Sequence, residues 1–388
     1  MRARHLAPVL GPLLVLAGAC GGSEQTDGGT GGGASGPPWL SDASILVSGA
    51  ASTTNDCRTG ICRHNENTDL TSFGGAIYFV HRTAQSQILG PNSSLHVYRS
   101  TDGGASFAET AVIPAPVDRD LRDPHFYTVG SELYLKALVR LPVVSTRDTG
   151  VDTISVATHS ADGEAWSALE PIAAPTWSFW RIQEHAGAYY AAAYEDGDLS
   201  VVLYSSPDGV TWTAGPEIYG VAVDTPLETE LVFMPSGKLL ALVRMDGTDD
   251  ELLGDAGRLR TKICWSDAPY ASFDCPAELT GQRLDGPLAF FHGGRLFVVA
   301  RKHLGANDKK RTALFELTGD LEGGELAITE HGELPSAGDT SYAGQAARDA
   351  DRTLVTWYSG DIVKDIGWTF GMFDVTDVWQ ATIDFSKL

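Results

Sequence analysis

The chain is dominated by short apolar runs of strand length, separated by turns that contain Gly or pairs of polar residues. One hairpin recurs six times, and each time its second strand ends at Arg or Tyr. These second strands are Ala76–Arg82, Leu133–Arg140, Ala188–Tyr194, Lys238–Arg244, Arg295–Arg301 and Thr353–Tyr358. Their last residues lie 50 to 58 positions apart, a period typical of β-propellers with four-stranded blades. The pattern therefore predicts an all-β, six-bladed β-propeller.

One propeller domain accounts for residues 39–388, because six units of about 55 residues fill that length. No second domain is expected. We expect an early strand, Ser44–Ser48, to complete the last blade beside a strand near Thr369–Asp374. This pairing would close the ring without exposed strand edges.

The first 38 residues do not follow this pattern. Residues 1–19 contain an apolar stretch, Leu6–Ala19, that is too short to span a bilayer and indicates a signal peptide. Its end, Leu16–Cys20, resembles the lipobox of bacterial lipoproteins and implies a lipid on Cys20; a secretory signal with an incidental Cys is the alternative. Residues 20–38 contain eight Gly and predict a flexible tether. We therefore expect a cell-envelope protein, attached through its lipid to the outer membrane or cell surface.

Charge and composition narrow the classes of function. The chain has 388 residues with 28 Lys+Arg against 50 Asp+Glu, a net charge of −22. Nucleic-acid binders neutralise phosphates with clustered basic side chains, so that class is excluded. With 43% hydrophobic and 20% charged residues, the chain can bury a large core, so bulk disorder is excluded as well.

The cysteines after Cys20 form two close pairs. In an exported chain, where disulfides persist, the local pairing is favoured among three connectivities: Cys57 with Cys62 and Cys264 with Cys275. A zinc site is the alternative, but no CxxC, HxxxH or HExxH spacing supports it. No metal or cofactor is therefore predicted.

A second repeat lies in the outer halves of several blades. Its copies are Ser100–Phe107, Ser160–Trp166 and Ser206–Trp212, with a weaker one at Ser266–Phe273. We expect a turn in which Ser and Asp oxygens accept hydrogen bonds from backbone N–H groups and Gly supplies a positive φ. The aromatic residue should pack back onto the blade.

These turns resemble the Asp boxes, or BNR repeats, of sialidase-like propellers. Other segments similar to bacterial proteins grouped with exo-sialidases are Trp180–Ile182, Glu228–Val232, Gly286–Pro287 and Leu334–Tyr342. The resemblance covers most of the chain. It implies a six-bladed fold and a glycoside hydrolase of the exo-sialidase kind.

Hairpin geometry predicts which residues meet at one mouth of the channel. The start of each first strand and the end of each second strand lie together there, because the two strands are antiparallel. The second-strand ends are Arg82, Arg140, Tyr194, Arg244, Arg301 and Tyr358. A ring of guanidinium groups would suit an anionic ligand, since Arg offers paired donors to a carboxylate. Solvated blade edges are the alternative.

The resemblance assigns roles at this mouth. Sialidases hold the substrate carboxylate with three Arg and use Tyr, paired with Glu, as the nucleophile. Tyr342 resembles the nucleophile, although packing beside Gly344 is its alternative role. Its partner would be Glu228 or Glu230. The substrate-binding candidates are Arg82, Arg122, Arg181, Tyr194, Arg244, Arg301, Asp339 and Tyr358.

Two features depart from the family. The usual Arg-Ile-Pro strand is missing, and the equivalent strand reads Asn65 to Leu70. Candidates for the first Arg are Arg63, Arg82 and Arg122. The general acid is unassigned, and its candidates are Asp69 and Asp123. Arg122–Pro124 also resembles the Arg-Asp-Pro of five-bladed furanosidases, a fold that six repeats argue against.

Three functions fit these residues. The first is a retaining glycoside hydrolase acting on a sialic acid or another acidic sugar. The second is a non-catalytic carbohydrate-binding propeller lipoprotein, and the third a neutral-sugar glycosidase that uses paired carboxylates. The expected partner is an acidic carbohydrate or glycoconjugate, with the membrane contacted through the lipid alone. A monomer is expected.

Replacing the lipidated residue should release the protein from the membrane. We expect Cys20→Ala to move it from the detergent-extracted membrane fraction to the soluble fraction, because stable anchoring depends on the acyl chains. Fractionation and immunoblotting measure this. A variant that still partitions with the membrane would show that Cys20 is not the anchor.

Overall fold

The computed structural model describes residues 36–88, 90–141, 153–195, 200–248, 259–304 and 308–388. The expected signal peptide, Cys20 and the tether as far as residue 35 lie outside these residues. Within the described ranges, no helix is long and apolar enough to cross a bilayer.

Strands make up almost all of the regular structure. In chain order they are β1 (Leu40–Val47), β2 (His64–Phe73), β3 (Ala76–Ala84), β4 (Ser94–Ser100), β5 (Ala108–Pro114), β6 (Asp120–Val129), β7 (Glu132–Arg140), β8 (Thr153–Ser160), β9 (Glu170–Pro171), β10 (Trp177–His185), β11 (Ala188–Glu195), β12 (Ser200–Ser206), β13 (Thr213–Tyr219), β14 (Pro226–Phe233), β15 (Leu239–Met245), β16 (Arg260–Ser266), β17 (Asp274–Thr280), β18 (Asp285–His292), β19 (Arg295–His303), β20 (Lys310–Gly319), β21 (Leu326–Leu334), β22 (Thr340–Ala347), β23 (Arg352–Gly360) and β24 (Thr376–Asp384). The helical segments are α1 (Trp368–Gly371) and the 3₁₀ turns Ala222–Asp224, Asp246–Thr248 and Phe385–Lys387.

The strands form four separate four-stranded sheets and one eight-stranded sheet. The four-stranded sheets are β6–β9, β10–β13, β14–β17 and β18–β21. In the eight-stranded sheet the order is β22-β23-β24-β2-β3-β4-β5, and β1 also pairs with β24. Six separate sheets, as the sequence predicts, are therefore not observed. The reason is one parallel pairing, His64 with Thr376, which joins β2 to β24.

Apolar side chains fill the space between consecutive sheets. Leu296 and Phe315 of one sheet, for example, pack with Leu240 and Ile263 of the sheet before it. Equivalent clusters lie between the other consecutive sheets, and one of them joins β2 and β3 to β22–β24. Each sheet therefore packs face to face on the next, and the described residues form an all-β propeller.

The second strands of the predicted hairpins are all present, as β3, β7, β11, β15, β19 and β23. The closing strand pair is only partly where the sequence places it. β1 does pair with a C-terminal strand, but that strand is β24, with Leu40 opposite Ile383 and Val47 opposite Val378.

The predicted strand near Thr369–Asp374 is wrong. Its first residues form α1, because Asp308 takes the backbone donors that a strand would need. The N–H of Trp368 donates to the Asp308 carbonyl at 2.7 Å, and the N–H of Thr369 donates to the Asp308 carboxylate at 2.8 Å.

Every first strand carries one extra residue at the same place. Two residues of the first strand face one residue of the second in all six hairpins, which is the definition of a β-bulge. The bulge pairs are Asn67–Thr68, Asp123–Pro124, Trp180–Arg181, Leu227–Glu228, Gly286–Pro287 and Tyr342–Ala343. Bulges bend the strand and change the direction of its side chains. The repeated bulge therefore determines which side chains of the inner strands point into the channel.

The repeated turns have the expected hydrogen bonds. In the turn after β8, the Gly163 N–H donates to Ser160 Oγ at 2.8 Å and the Ala165 N–H donates to Asp162 Oδ1 at 3.0 Å. The turns after β4 and β12 repeat the pattern. The turns after β8 and β12 also pack on the preceding sheet, as Gly163 does on Tyr78, and the turn after β4 packs on Leu354 of β23.

Both predicted disulfides are formed. Cys57–Cys62 closes a loop before β2, and Cys264–Cys275 ties β16 to β17. The local pairing inferred from the cysteine spacing is confirmed.

Gly163→Ala should destabilise the protein more than Gly103→Ala. Both glycines have a left-handed φ, 75° and 73°, so both substitutions incur strain of about 1–2 kcal/mol. A Cβ at Gly163 would lie 2.1 Å from Tyr78 Cε1, whereas nothing lies within 4 Å of one at Gly103. We expect a further loss of about 1–3 kcal/mol in the free energy of unfolding for Gly163→Ala, measured in urea. Equal losses would contradict the packing of this turn on the preceding sheet.

Candidate active site

A cavity of about 400 Å³ lies where the first strands begin and the second strands end. Gln87, Ile88, Trp368 and Met372 from loops and α1 form part of its lining. The residues predicted from sequence that line it are Arg122, Asp123, Arg140, Tyr194, Glu228, Arg244, Arg301 and Tyr342. The structure therefore brings most of the predicted mouth together.

Tyr342 and Glu228 form the central pair of this cavity. The Tyr342 hydroxyl donates to Glu228 Oε1 at 2.7 Å. Arg244 donates through one guanidinium nitrogen to both Glu228 oxygens, at 2.9 and 2.7 Å, and to the Tyr342 hydroxyl at 3.1 Å. All three side chains are buried, so the three groups hold one another in a fixed geometry.

The ring of Tyr342 is packed on several sides. Its bulge position has φ 48°, which is uncommon for a bulky residue and stores about 1–3 kcal/mol of strain. The Arg301 guanidinium lies 5.0 Å from the ring centroid, and Trp180 meets the ring edge-on at 5.7 Å. Gly286 also lies against it, since a Cβ there would come within 2.9 Å. The packing role expected beside Gly344 is thus filled by Gly286 instead.

Burial keeps the Tyr342 phenol protonated. Burial raises its pKa well above the usual value, and the charge of Glu228 raises it further, against the Arg244 and Arg301 cations. Burial also raises the pKa of the Glu228 carboxyl, and Arg244 opposes that rise. A neutral phenol beside a carboxylate is suited to transfer its proton to that carboxylate as the oxygen forms a new bond.

Asp123, in the bulge of β6, lines the same cavity. Its backbone is held at φ 50°, and the buried Lys136 ammonium donates to its carbonyl at 3.1 Å. Burial raises the pKa of its carboxyl, whereas Arg122 and Lys136 oppose the rise. A cavity-facing carboxyl with a raised pKa is what a general acid requires.

Asp339 and Tyr358 lie behind the cavity wall. Arg301 donates to Asp339 Oδ1 at 3.0 Å, to the Tyr358 hydroxyl at 2.8 Å and to the Thr340 carbonyl at 2.8 Å. Both residues therefore orient Arg301 and do not line the cavity themselves.

Of the three candidates for the first Arg, only Arg122 lines the cavity. Arg82 is fully buried behind it and binds Glu66 at 2.5 Å and Asp120 at 2.7 and 2.9 Å. Arg63 is half-exposed and pairs with Asp374 at 3.4 Å. Arg122 itself contacts Glu66 at 3.1 Å.

The charges of the lining are balanced. Four arginines, Arg122, Arg140, Arg244 and Arg301, line the cavity together with four carboxylates, Glu66, Asp123, Glu228 and Asp246. The cationic mouth expected from the strand ends is therefore matched by an equal number of carboxylates. This pairing offsets the desolvation of the guanidinium groups at a buried position.

Asp69 and Arg181 do not line the Tyr342 cavity. They pair at 2.6 Å and line a second cavity, of about 620 Å³, at the other side of the channel. Asp69 follows its bulge pair and Arg181 is the second residue of its own, so both lie deeper along their strands than Asp123 and Tyr342, the first residues of their bulge pairs. The indole N–H of the buried Trp180 donates to Glu230 Oε2 at 3.0 Å and to the Pro287 carbonyl at 3.1 Å. Glu230 thus binds Trp180 and does not partner Tyr342.

Several lining residues are missed by the sequence reasoning. Asp246 directly follows the last residue of β15 and is not part of the strand pattern, yet its carboxylate accepts a hydrogen bond from Arg244 at 2.6 Å. Gln87 lies in a loop and Trp368 begins α1, and neither segment belongs to a sequence repeat. Two of the bulges have a signal in the sequence. Pro124 and Pro287 lie inside first strands, and proline within a sheet is confined to edge strands and bulges.

The described fold is similar to that of solved sialidases. A mutant of Trypanosoma rangeli sialidase displaying trans-sialidase activity matches with a TM-score of 0.65 and 14% identity, covering 92% of this chain and 60% of that chain. A leech intramolecular trans-sialidase complexed with 2,7-anhydro-Neu5Ac has a TM-score of 0.62 and 11% identity, covering 89% and 71%. A Dyadobacter fermentans protein of unknown function has a TM-score of 0.62 and 16% identity, covering 89% and 100%.

No family model and no curated protein sequence matches the chain. The chain spans 60% of the length of the Trypanosoma rangeli protein. Identities of 11–16% establish a shared fold, so the class of protein is an all-β propeller with sialidase-like structural neighbours.

Proposed function

We propose that the protein is a retaining glycoside hydrolase with a tyrosine nucleophile, acting on glycosides of sialic acid or another acidic sugar. The observation that carries the proposal is the 2.7 Å hydrogen bond from Tyr342 to Glu228, held by Arg244 at the floor of a cavity. A buried tyrosine on a carboxylate is an activated nucleophile, since the carboxylate takes the phenol proton.

The reaction has two displacements at the anomeric carbon. Tyr342 Oη attacks that carbon, its proton passes to Glu228, and Asp123 protonates the leaving glycosidic oxygen. Water then attacks the tyrosyl intermediate, giving its proton to Asp123 while Glu228 returns the proton to Tyr342. Each displacement inverts the carbon, so the product retains its configuration.

The charged lining supports an acidic substrate. Arg122, Arg244 and Arg301 reach the cavity from three sheets, and a guanidinium binds a carboxylate with paired hydrogen bonds. A nucleophile that is neutral also suits such a substrate, because an anionic one would repel it. The named ligands of the structural neighbours, sialic acid and its derivatives, belong to this chemical class.

A non-catalytic carbohydrate-binding propeller is the second candidate. It is favoured by the balanced charges of the lining and by Glu66, an acid on the strand where the resemblance calls for Arg. It predicts sugar binding without turnover in the parent protein.

Two broader features belong to the same proposal. The eight-stranded sheet is best counted as two blades, β2–β5 and β22–β24 with β1, which would give six blades in total. The lipobox resemblance supports attachment of this propeller to the cell envelope through Cys20.

Removing the phenol oxygen tests the nucleophile. We expect Tyr342→Phe to lower kcat/KM on a fluorogenic aryl sialoside by at least about 10³-fold, because the attacking atom is lost. Affinity for the free sugar, measured by calorimetry, should change little, because the guanidinium groups bind it. Tyr134→Phe, near the start of β7 and outside the cavity lining, is the matched control and should retain activity. Turnover that survives in Tyr342→Phe would overturn the proposed nucleophile, and a parent with binding but no turnover would favour the second candidate.

The pH profile tests the general acid. Asp123 must be protonated to act, so activity should fall as the pH rises through its raised pKa. Asp123→Asn should remove this alkaline limb and lower kcat/KM on alkyl sialosides by about 10²–10⁴-fold. Aryl sialosides, whose leaving groups need less protonation, should be affected much less. Equal losses on both substrate types would exclude Asp123 as the acid.

A further inference from the structure

Three buried side chains with metal-binding atoms meet beside the cavity. They are His64 and Glu66 of β2 and Asp339, which directly precedes β22. One nitrogen or oxygen from each lies within 4.8 Å of the others. All three residues are at most 1% exposed, and none of them takes part in the proton transfers of the proposed reaction.

Each of these side chains is held from behind. His64 Nδ1 lies 2.9 Å from the Asp374 carbonyl, so Nδ1 donates to that carbonyl and Nε2 points toward the two carboxylates. Arg82 and Arg122 donate to Glu66 Oε1. This leaves Glu66 Oε2 free to face Nε2.

Asp339 is oriented in the same way. Its Oδ1 accepts hydrogen bonds from Arg301, Tyr358 and Trp368, at 3.0, 2.9 and 3.0 Å. Its Oδ2 has no hydrogen-bond partner although the residue is fully buried. Buried polar atoms without a partner are rare and need an explanation.

The distances between His64 Nε2 and the two facing carboxylate oxygens suggest an explanation for the unpartnered Asp339 oxygen. His64 Nε2 lies 3.3 Å from Glu66 Oε2 and 3.5 Å from Asp339 Oδ2. The first distance is that of a hydrogen bond, and the second is longer than most hydrogen bonds. Ligands bonded to one tetrahedral Zn²⁺ at about 2.0–2.1 Å are separated by roughly 3.3–3.4 Å. The two distances from His64 Nε2 therefore match the spacing of zinc ligands, and the outer hydrogen bonds resemble the supporting contacts of metal sites.

We propose that His64 Nε2, Glu66 Oε2 and Asp339 Oδ2 bind one Zn²⁺. A single imidazole nitrogen with two carboxylate oxygens is a ligand set that suits zinc. The ligands come from β2 and from the residue before β22, next to the single His64–Thr376 pairing that joins the two halves of the eight-stranded sheet. The ion would link these halves and stabilise the closed ring.

Direct binding to the mature protein tests the site without any assay of turnover. The chelator-treated protein should bind one Zn²⁺ per chain by calorimetry, and saturating Zn²⁺ should raise the melting temperature by roughly 4 °C or more. Co²⁺ in the same site should give the intense visible absorption of a tetrahedral complex. Binding of Ca²⁺ or Mg²⁺ in preference to Zn²⁺ would overturn the zinc assignment.

Matched variants locate the ion. His64→Gln and Asp339→Asn should each weaken Zn²⁺ binding by at least about 100-fold. His96→Gln is the control, because it removes another buried histidine paired with a carboxylate, Glu109 at 2.6 Å, outside the cluster. If the parent binds no Zn²⁺, or His96→Gln loses it as fully as His64→Gln, the proposal is wrong. The binding and Co²⁺ measurements on the parent stand even if a variant does not fold.

Discussion

One extra residue in each inner strand decides the chemistry of this propeller. The sheets are held together by regular antiparallel pairing and by apolar clusters that lie between them. Polar side chains contribute nothing to these clusters. The bulge interrupts that pairing at the same height in every hairpin. Tyr342, Glu228 and Asp123 all occupy bulge pairs. The left-handed backbone of Tyr342 and Asp123 is retained because packing around them is tight enough to impose it.

Bringing charged groups into such a site requires compensation. A guanidinium buried alone would carry a large desolvation penalty, and Arg122, Arg244 and Arg301 each have a carboxylate partner. Arg244 lies near Glu228, Asp246 and Asp285, and Arg301 near Asp339. A bound anion therefore competes with acids already present. The affinity of the anion depends on how well its hydrogen bonds to the arginines replace those of the carboxylates. The site should therefore select ligands by the geometry of their acidic group as well as by their charge.

The sequence predicts the fold better than the site. Apolar periodicity and turn chemistry locate the second strands, because these depend on local pattern, and cysteine spacing locates both disulfides. The Tyr342 and Arg244 positions follow from hairpin geometry and resemblance. Arg181 and Asp69 are placed at the wrong end of the channel, because a strand-start argument ignores depth along the strand. Glu66 and Asp246 escape prediction because their roles exist only through partners distant in sequence.

The strand that completes the last sheet comes from the beginning of the chain. β1 covers the edge of β24, and Trp39 beside it is buried, donating to the His331 carbonyl at 3.0 Å. Proteolysis would therefore have opposite consequences a few residues apart. A cut N-terminal to Pro37 would shed an intact propeller from whatever precedes it. A cut within Leu40–Val47 would expose a long strand edge, and with it a template for pairing between molecules.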